Sequence, residues 1–182
     1  MRVRFVGILI MAVSIAGGGF LLAERGKKRL ELLLKLRRMI HYLKSQILYS
    51  NAPLPEAVWE VGCRFDCSGE EKKGKWEPAS LFLNVRKQLD ENKNQAFSDV
   101  WKAETGMIPF DVPLSQSDRH NLGELGSNLG YADRKMQERT ILFYLEQLDE
   151  TIEMGKAEAE SLGKLYRTLG VAAGMFWFVL LI

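Results

Sequence analysis

Cysteine and histidine are scarce, at two each in 182 residues, and that narrows the chemistry open to the chain. Cys63 and Cys67 form a C-x3-C pair that suits one face of a helix. No second Cys/His pair lies near enough to complete a zinc site, which leaves two reduced thiols. His41 and His120 stand alone in helical stretches. The lysine-bearing phosphate loop, the dinucleotide glycine fingerprint and the nucleophile elbow are all missing. Together these absences argue against an enzyme, a bound cofactor or a small-molecule substrate. Net charge is only +2, so bulk electrostatics give no reason to expect nucleic acid as a partner. No segment sustains apolar–polar alternation, so no sheet is expected.

Charge is also missing from both ends. Phe5 to Ala23, preceded by Arg2 and Arg4, is uncharged and makes roughly 28 Å of helix, close to the thickness of a bilayer core. Leu169 to Ile182 is uncharged as well, but makes only about 21 Å. It is expected to cross a thinned bilayer or to enter it partway. Residues 1–23 are therefore read as an N-terminal transmembrane helix, 24–168 as the main domain, and 169–182 as a C-terminal membrane segment. The alternative is a cleavable signal peptide ending at Ser14-Ile15-Ala16, which would release a secreted or periplasmic helical binding module. The length of the apolar run and the basic residues that follow it favour the anchor. Arg25, Lys27, Lys28, Arg29, Arg37 and Arg38 outweigh Arg2 and Arg4, which places the amino terminus outside and the main domain in the cytoplasm. The same residues suit an anionic lipid surface. Ser14 with Gly18, and Gly170 with Gly174, are small-residue pairs of the kind that let membrane helices pack closely.

What is abundant is helical periodicity. Leu36, Ile40, Leu43 and Ile47 keep a four-three rhythm, as do Ile141, Leu145, Leu148, Ile152, Gly155, Ala159, Leu162, Tyr166 and Leu169. The first long helix stops before Pro53, and Pro55 sits where a new helix tolerates proline. Leu54, Ala57, Val58 and Val61 form the apolar stripe of that returning helix, so a charge at Leu54 is expected to be destabilising. Further helices are predicted over Ala79–Leu89, around Phe97–Trp101, and from a Ser115/Asp118 capping box to about Leu129. Gly130 is a stop signal there, and Asp133 a cap for the last helix. The prediction is an all-α bundle of about six helices. The first long helix is basic and the last acidic. Glu146, Asp149, Glu150 and Glu153 lie partly off the last seam, so they either face the basic helix or remain free for a partner.

Two blocks carry a family resemblance. "LRRMIHYLKSQILYSNAPLPEAV", with Ile47, Tyr49, Pro53, Leu54, Glu56 and Ala57, resembles the signature of the stage III sporulation protein AB family. "LGELGSNLGYADRKMQERTILFYLEQL" is similar to a second family block through Leu129, Gly130, Asp133 and Gln137. One departure is Gln46, where the family carries Glu; the stretch from Gly69 to Trp76 has no counterpart. The resemblance implies a cell-membrane protein on the mother-cell side of the outer forespore membrane, part of a channel complex between mother cell and forespore. It further implies a helical domain like the F-type platforms of type II secretion and type IV pilus machines. The implied partners are a cytoplasmic hexameric ATPase of the stage III sporulation protein AA type and other channel subunits.

Overall fold

In the computed structural model the backbone is described for residues 2–181 apart from 51, 67–75, 93 and 131–132. Side-chain surroundings are described for 24–161 apart from the same positions. Six helices follow in order: α1 Arg2–Leu48, α2 Leu54–Phe65, α3 Pro78–Glu91, α4 Phe97–Gly106, α5 Gln116–Leu129 and α6 Arg134–Leu181. No strand occurs among the described residues, and the all-α expectation holds.

The chain divides into two compact units, one of Glu31–Thr151 and one of Met1–Leu30 with Ile152–Ile182. In the second of these, Lys28 pairs with Glu24 one turn away at 2.6 Å, and Gly155 lies beside Leu30. Ile152 is buried and Ala159 exposed. Leu162, Tyr166 and Leu169, which continue the predicted seam, lie outside the described side chains. No helix among the described residues is long and apolar enough to cross a membrane. The two predicted membrane segments, with Ser14, Gly18, Gly170 and Gly174, fall on helix whose side chains are not described.

The Glu31–Thr151 unit holds the core. Leu36, Ile40, Leu43 and Ile47 of α1 are all buried, as are Ile141, Leu145 and Leu148 of α6, so both four-three seams face inward. α2 and α3 meet at Gly62. A methyl group there would fall 2.6 Å from Leu83 Cδ2 and 3.2 Å from the Leu83 backbone nitrogen, too close for van der Waals contact.

The tightest packing lies between α4 and α5. Trp101 is fully buried. Its indole N–H donates to the Leu122 carbonyl at 2.7 Å, and its ring lies against Gly126, where an added Cβ would sit 2.0 Å from Trp101 Cγ. Phe82 of α3 meets the same ring edge-on at 5.3 Å, and Phe97 stacks on it at 5.7 Å. One aromatic cluster thus ties three helices. Each fully buried large apolar side chain contributes about 1.5–3 kcal/mol.

The capping box opening α5 is complete. The Ser115 hydroxyl accepts from the Asp118 N–H at 3.1 Å, and the Asp118 carboxylate accepts from the Ser115 N–H at 2.8 Å. Gly130 ends α5 as expected, but with φ −68°, so left-handed backbone is not the reason. A Cβ there would come within 3.1 Å of the Ser98 backbone nitrogen, and the glycine serves the close approach of α5 to the start of α4.

Gly126→Ala is expected to lower stability by about 1–3 kcal/mol, because the ring it would strike is fixed on its other sides. Gly26→Ala, with nothing within 4 Å, should stabilise by up to about 1 kcal/mol through helix propensity alone. Urea unfolding followed by tryptophan fluorescence separates the two; equal effects would contradict the packing at Trp101.

Candidate interaction surface

Both motif blocks are corners. At the first, the Tyr49 N–H donates to the Ser45 carbonyl and the Ala52 N–H to the Gln46 carbonyl, closing the end of α1. Pro53 then caps α2, and the Ala57 N–H donates to the Pro53 carbonyl at 2.9 Å. Ile47 and Ala57 are buried, whereas Tyr49 is 82 % exposed and Pro53 and Glu56 face solvent. Glu56 occupies the first turn of α2, where a carboxylate suits the helix dipole.

Leu54, expected in the packed stripe, is only half-buried. The inward face of α2 is Ala57, Val58, Val61 and Gly62, so Leu54 sits at the edge of the stripe. α2 stops at Phe65, short of a helix face shared by Cys63 and Cys67. Cys63 is a free, exposed thiol, and Cys67 lies outside the described residues.

At the second corner, Leu129 is fully buried and its carbonyl accepts from Gln137 Nε2 at 3.1 Å. Asp133 caps α6 through the Met136 N–H at 2.8 Å. The four residues of this block thus join α5 to α6, and only Gly130 and Asp133 are exposed.

Between the corners, α1 and α6 are joined by charge. Arg37 Nε donates to Asp149, and a second bond runs from its terminal nitrogen to Oδ2 at 3.2 Å, a bidentate pair. This partner raises the Arg37 guanidinium above its ordinary range. Lys35 pairs with Glu77 at the start of α3. Of the remaining basic residues, Arg25, Lys27, Lys28 and Arg38 are exposed and Arg29 is half-buried.

The acidic residues of α6 divide. Asp149 turns toward α1, whereas Glu146 and Glu150 face solvent, as does Glu153 in the other unit. Glu146 and Glu150 close a second stripe, formed with Met136, Arg139 and Phe143, all exposed and spaced three and four apart. Phe143 is 61 % exposed, and Leu142 beside it is also open. This outward stripe has the spacing of a helix–helix seam, and it carries two acids where the inward seam carries aliphatics. It is legible as a second rhythm in the sequence, masked there by the stronger first one.

The remaining polar groups are accounted for locally. Burial, and then the Asp118 charge, raise the Tyr144 phenol above its ordinary range. Tyr144 and Asp118 line a cavity of about 10 Å³ with Leu33 and Leu36, room for a single water. No His/Cys/Asp/Glu cluster that could hold a metal occurs among the described residues.

The sequence profile of stage III sporulation protein AB matches residues 4–182. The chain belongs to the stage III sporulation protein AB family. It is 26 % identical over 182 residues to the stage III sporulation protein AB of Bacillus subtilis (strain 168), covering 98 % of both chains. A solved structure of a stage III sporulation protein AB superposes with a TM-score of 0.60 at 22 % identity, over 73 % of this chain and 97 % of that one. That likeness carries the fold. Membership makes this chain a sporulation component, in agreement with the reading of its two motif blocks.

Two outcomes test this geometry. Val58→Asp should cost at least about 3 kcal/mol, because it buries an unpaired charge. Leu54→Asp should cost about 1 kcal/mol, since that side chain can turn to water; a reversed order in urea midpoints would contradict the α2 face described. The second concerns pH. Desolvation lowers the His41 imidazole below its ordinary 6.5, helped by Arg37 and Lys44 and opposed by Asp149. The unfolded chain therefore takes up this proton first, and stability falls as pH drops through about 6.5, levelling off below the depressed folded value. His41→Gln should flatten the midpoint-versus-pH curve between pH 7 and 5; an unchanged slope would remove His41 from that dependence.

Proposed function

We propose that this protein is a non-enzymatic, membrane-held platform of a sporulation channel complex, and that the outward stripe of α6 is its docking face for a cytoplasmic ATPase. The observation that carries the docking face is the division of the acids: Asp149 is used inside the fold, while Glu146 and Glu150 stand exposed in one stripe with Phe143. An apolar anchor with Arg139 on one side and two acids on the other suits an amphipathic helix or groove that sets basic groups against Glu146 and Glu150. The anchoring rests on the apolar runs at residues 1–23 and 169–182, with Arg25, Lys27, Lys28 and Arg29 holding the main domain on the cytoplasmic side. On this reading the protein lies on the mother-cell side of the outer forespore membrane, in the manner of F-type platform proteins. Its partner is a hexameric ATPase of the stage III sporulation protein AA type.

Reversing Glu146 and Glu150 to Lys together should leave the unfolding midpoint within about 1 kcal/mol of the parent, because exposed charges contribute little. The same change should abolish co-purification with the ATPase, since like charges facing across an interface cost several kcal/mol. Full co-purification by the reversed chain would exclude this face as the dock.

A further inference from the structure

The segment between α4 and α5, "MIPFDVPL", is built around a large apolar side chain that the fold leaves open to solvent. Phe110 is 99 % exposed, yet the turn that carries it is held from several directions. The Val112 N–H donates to the Pro109 carbonyl at 3.2 Å. From α5, Arg119 donates to the carbonyls of Ile108 at 2.7 Å, Pro109 at 2.7 Å and Val112 at 3.3 Å. Its guanidinium lies 5.8 Å from the Phe110 ring. Ile108, Val112 and Leu114 are buried and anchor the turn at both sides. Pro109 and Pro113 restrict the backbone further. A fully solvated phenylalanine on a turn with three clamped carbonyls is pre-organised for a contact, because little freedom remains to be lost on binding. Met107, three residues earlier, is 71 % exposed as well.

Elsewhere on the same unit an open groove of about 490 Å³ runs between α2 and α3. Trp59 and Leu83 provide its apolar surface, and Asn84, Lys87 and the Arg86–Asp90 pair line its rim. Trp59 is 46 % exposed there. The groove is long enough in volume for more than one large side chain. Lys87 is 73 % exposed and only loosely paired with Glu91 at 3.9 Å, so it is open to a second acid. The Phe110 turn carries one, the exposed Asp111, next to the aromatic ring. Knob and groove match in apolar character and size, Lys87 offers Asp111 a partner on a rim that also carries Asp90 and Glu91, and no described residue covers either surface.

We propose that the Phe110 turn of one copy seats in the Trp59–Leu83 groove of a second copy, with Asp111 against Lys87. Phe110 packs against the Trp59 indole, an aromatic pairing. Because the two surfaces differ, the contact is head-to-tail: each copy presents a knob to one neighbour and a groove to the other. Such a contact builds a ring or an open row of copies rather than a closed two-fold dimer.

The test uses the full chain, co-expressed in cells as two copies with different affinity tags. One copy, the donor, carries a benzophenone amino acid at position 110. After irradiation and capture on both tags, the adduct should map to the second copy's α2 or α3. Asn84→Trp in the second copy fills the groove from an exposed position and should lower the adduct by about tenfold or more. The same substitution in the donor alone should leave it unchanged, because the donor's groove takes no part in that contact. An adduct that maps to another protein, to lipid or to a different segment of the second copy would overturn the proposal. So would an undiminished adduct with the groove filled, or no inter-copy adduct from a donor whose circular dichroism is that of the parent.

Discussion

The bundle depends on the close approach of α4 to α5 at Trp101 and Gly126. An indole is the largest side chain available, and here it lies flat against a backbone without a Cβ. That contact sets the distance between the two helices. The Trp101 bond to the Leu122 carbonyl fixes the register, and Phe82 carries the constraint into α3. α3 in turn meets α2 at Gly62 by the same device, a large side chain over a glycine. The short helices are thus stacked through two glycine contacts, and α1 and α6 are held by their long inward seams and by Arg37 and Asp149.

Each family block marks a place where one helix ends and the next begins. The proline corner and the Leu129–Gln137 corner lie at the junctions between the long helices and the short ones. Most of their residues work locally: a carbonyl accepted by Gln137, an N–H accepted by Asp133, a buried Ile47 and Ala57. Tyr49 and Glu56 are different, because both side chains face water. Motif membership alone does not separate structural residues from those available to partners; burial does.

Most of the fold was legible in the sequence because its signals are local. Proline spacing, the Ser115–Asp118 box, the Asp133 cap and the two four-three rhythms each depend on neighbours within a turn or two. What was not legible has a different character. The place of Leu54 at the edge of its stripe, and the close contact that Gly130 makes with the start of α4, both depend on which other helix approaches, and that information is not local. The pairing of Arg37 with Asp149 was open for the same reason. Charge alternation along two helices narrows the possible partners, but many registers satisfy it. The Phe110 turn was legible only as a break between helices. Nothing in "IPFDVP" announces that an arginine ten residues away will clamp its carbonyls.

Electrostatics then decides what is left for function. A bidentate arginine–carboxylate pair needs one acid on α6 facing α1, and Asp149 meets that need with its short side chain. Glu146, three residues before Asp149, and Glu150, one after it, both face water. Their position follows from the helix repeat once the inward seam is fixed: at about 100° per residue both fall at least about 100° around the helix from Ile141, Leu145 and Leu148. The inward seam and the Arg37 pair together therefore force an outward stripe whose chemistry the fold does not constrain. An aliphatic or lysine-rich stripe would fold equally well. That this stripe instead carries an exposed Phe143 followed by two acids is a property of the sequence that packing does not require, and so it is the part of α6 most directly available to a partner.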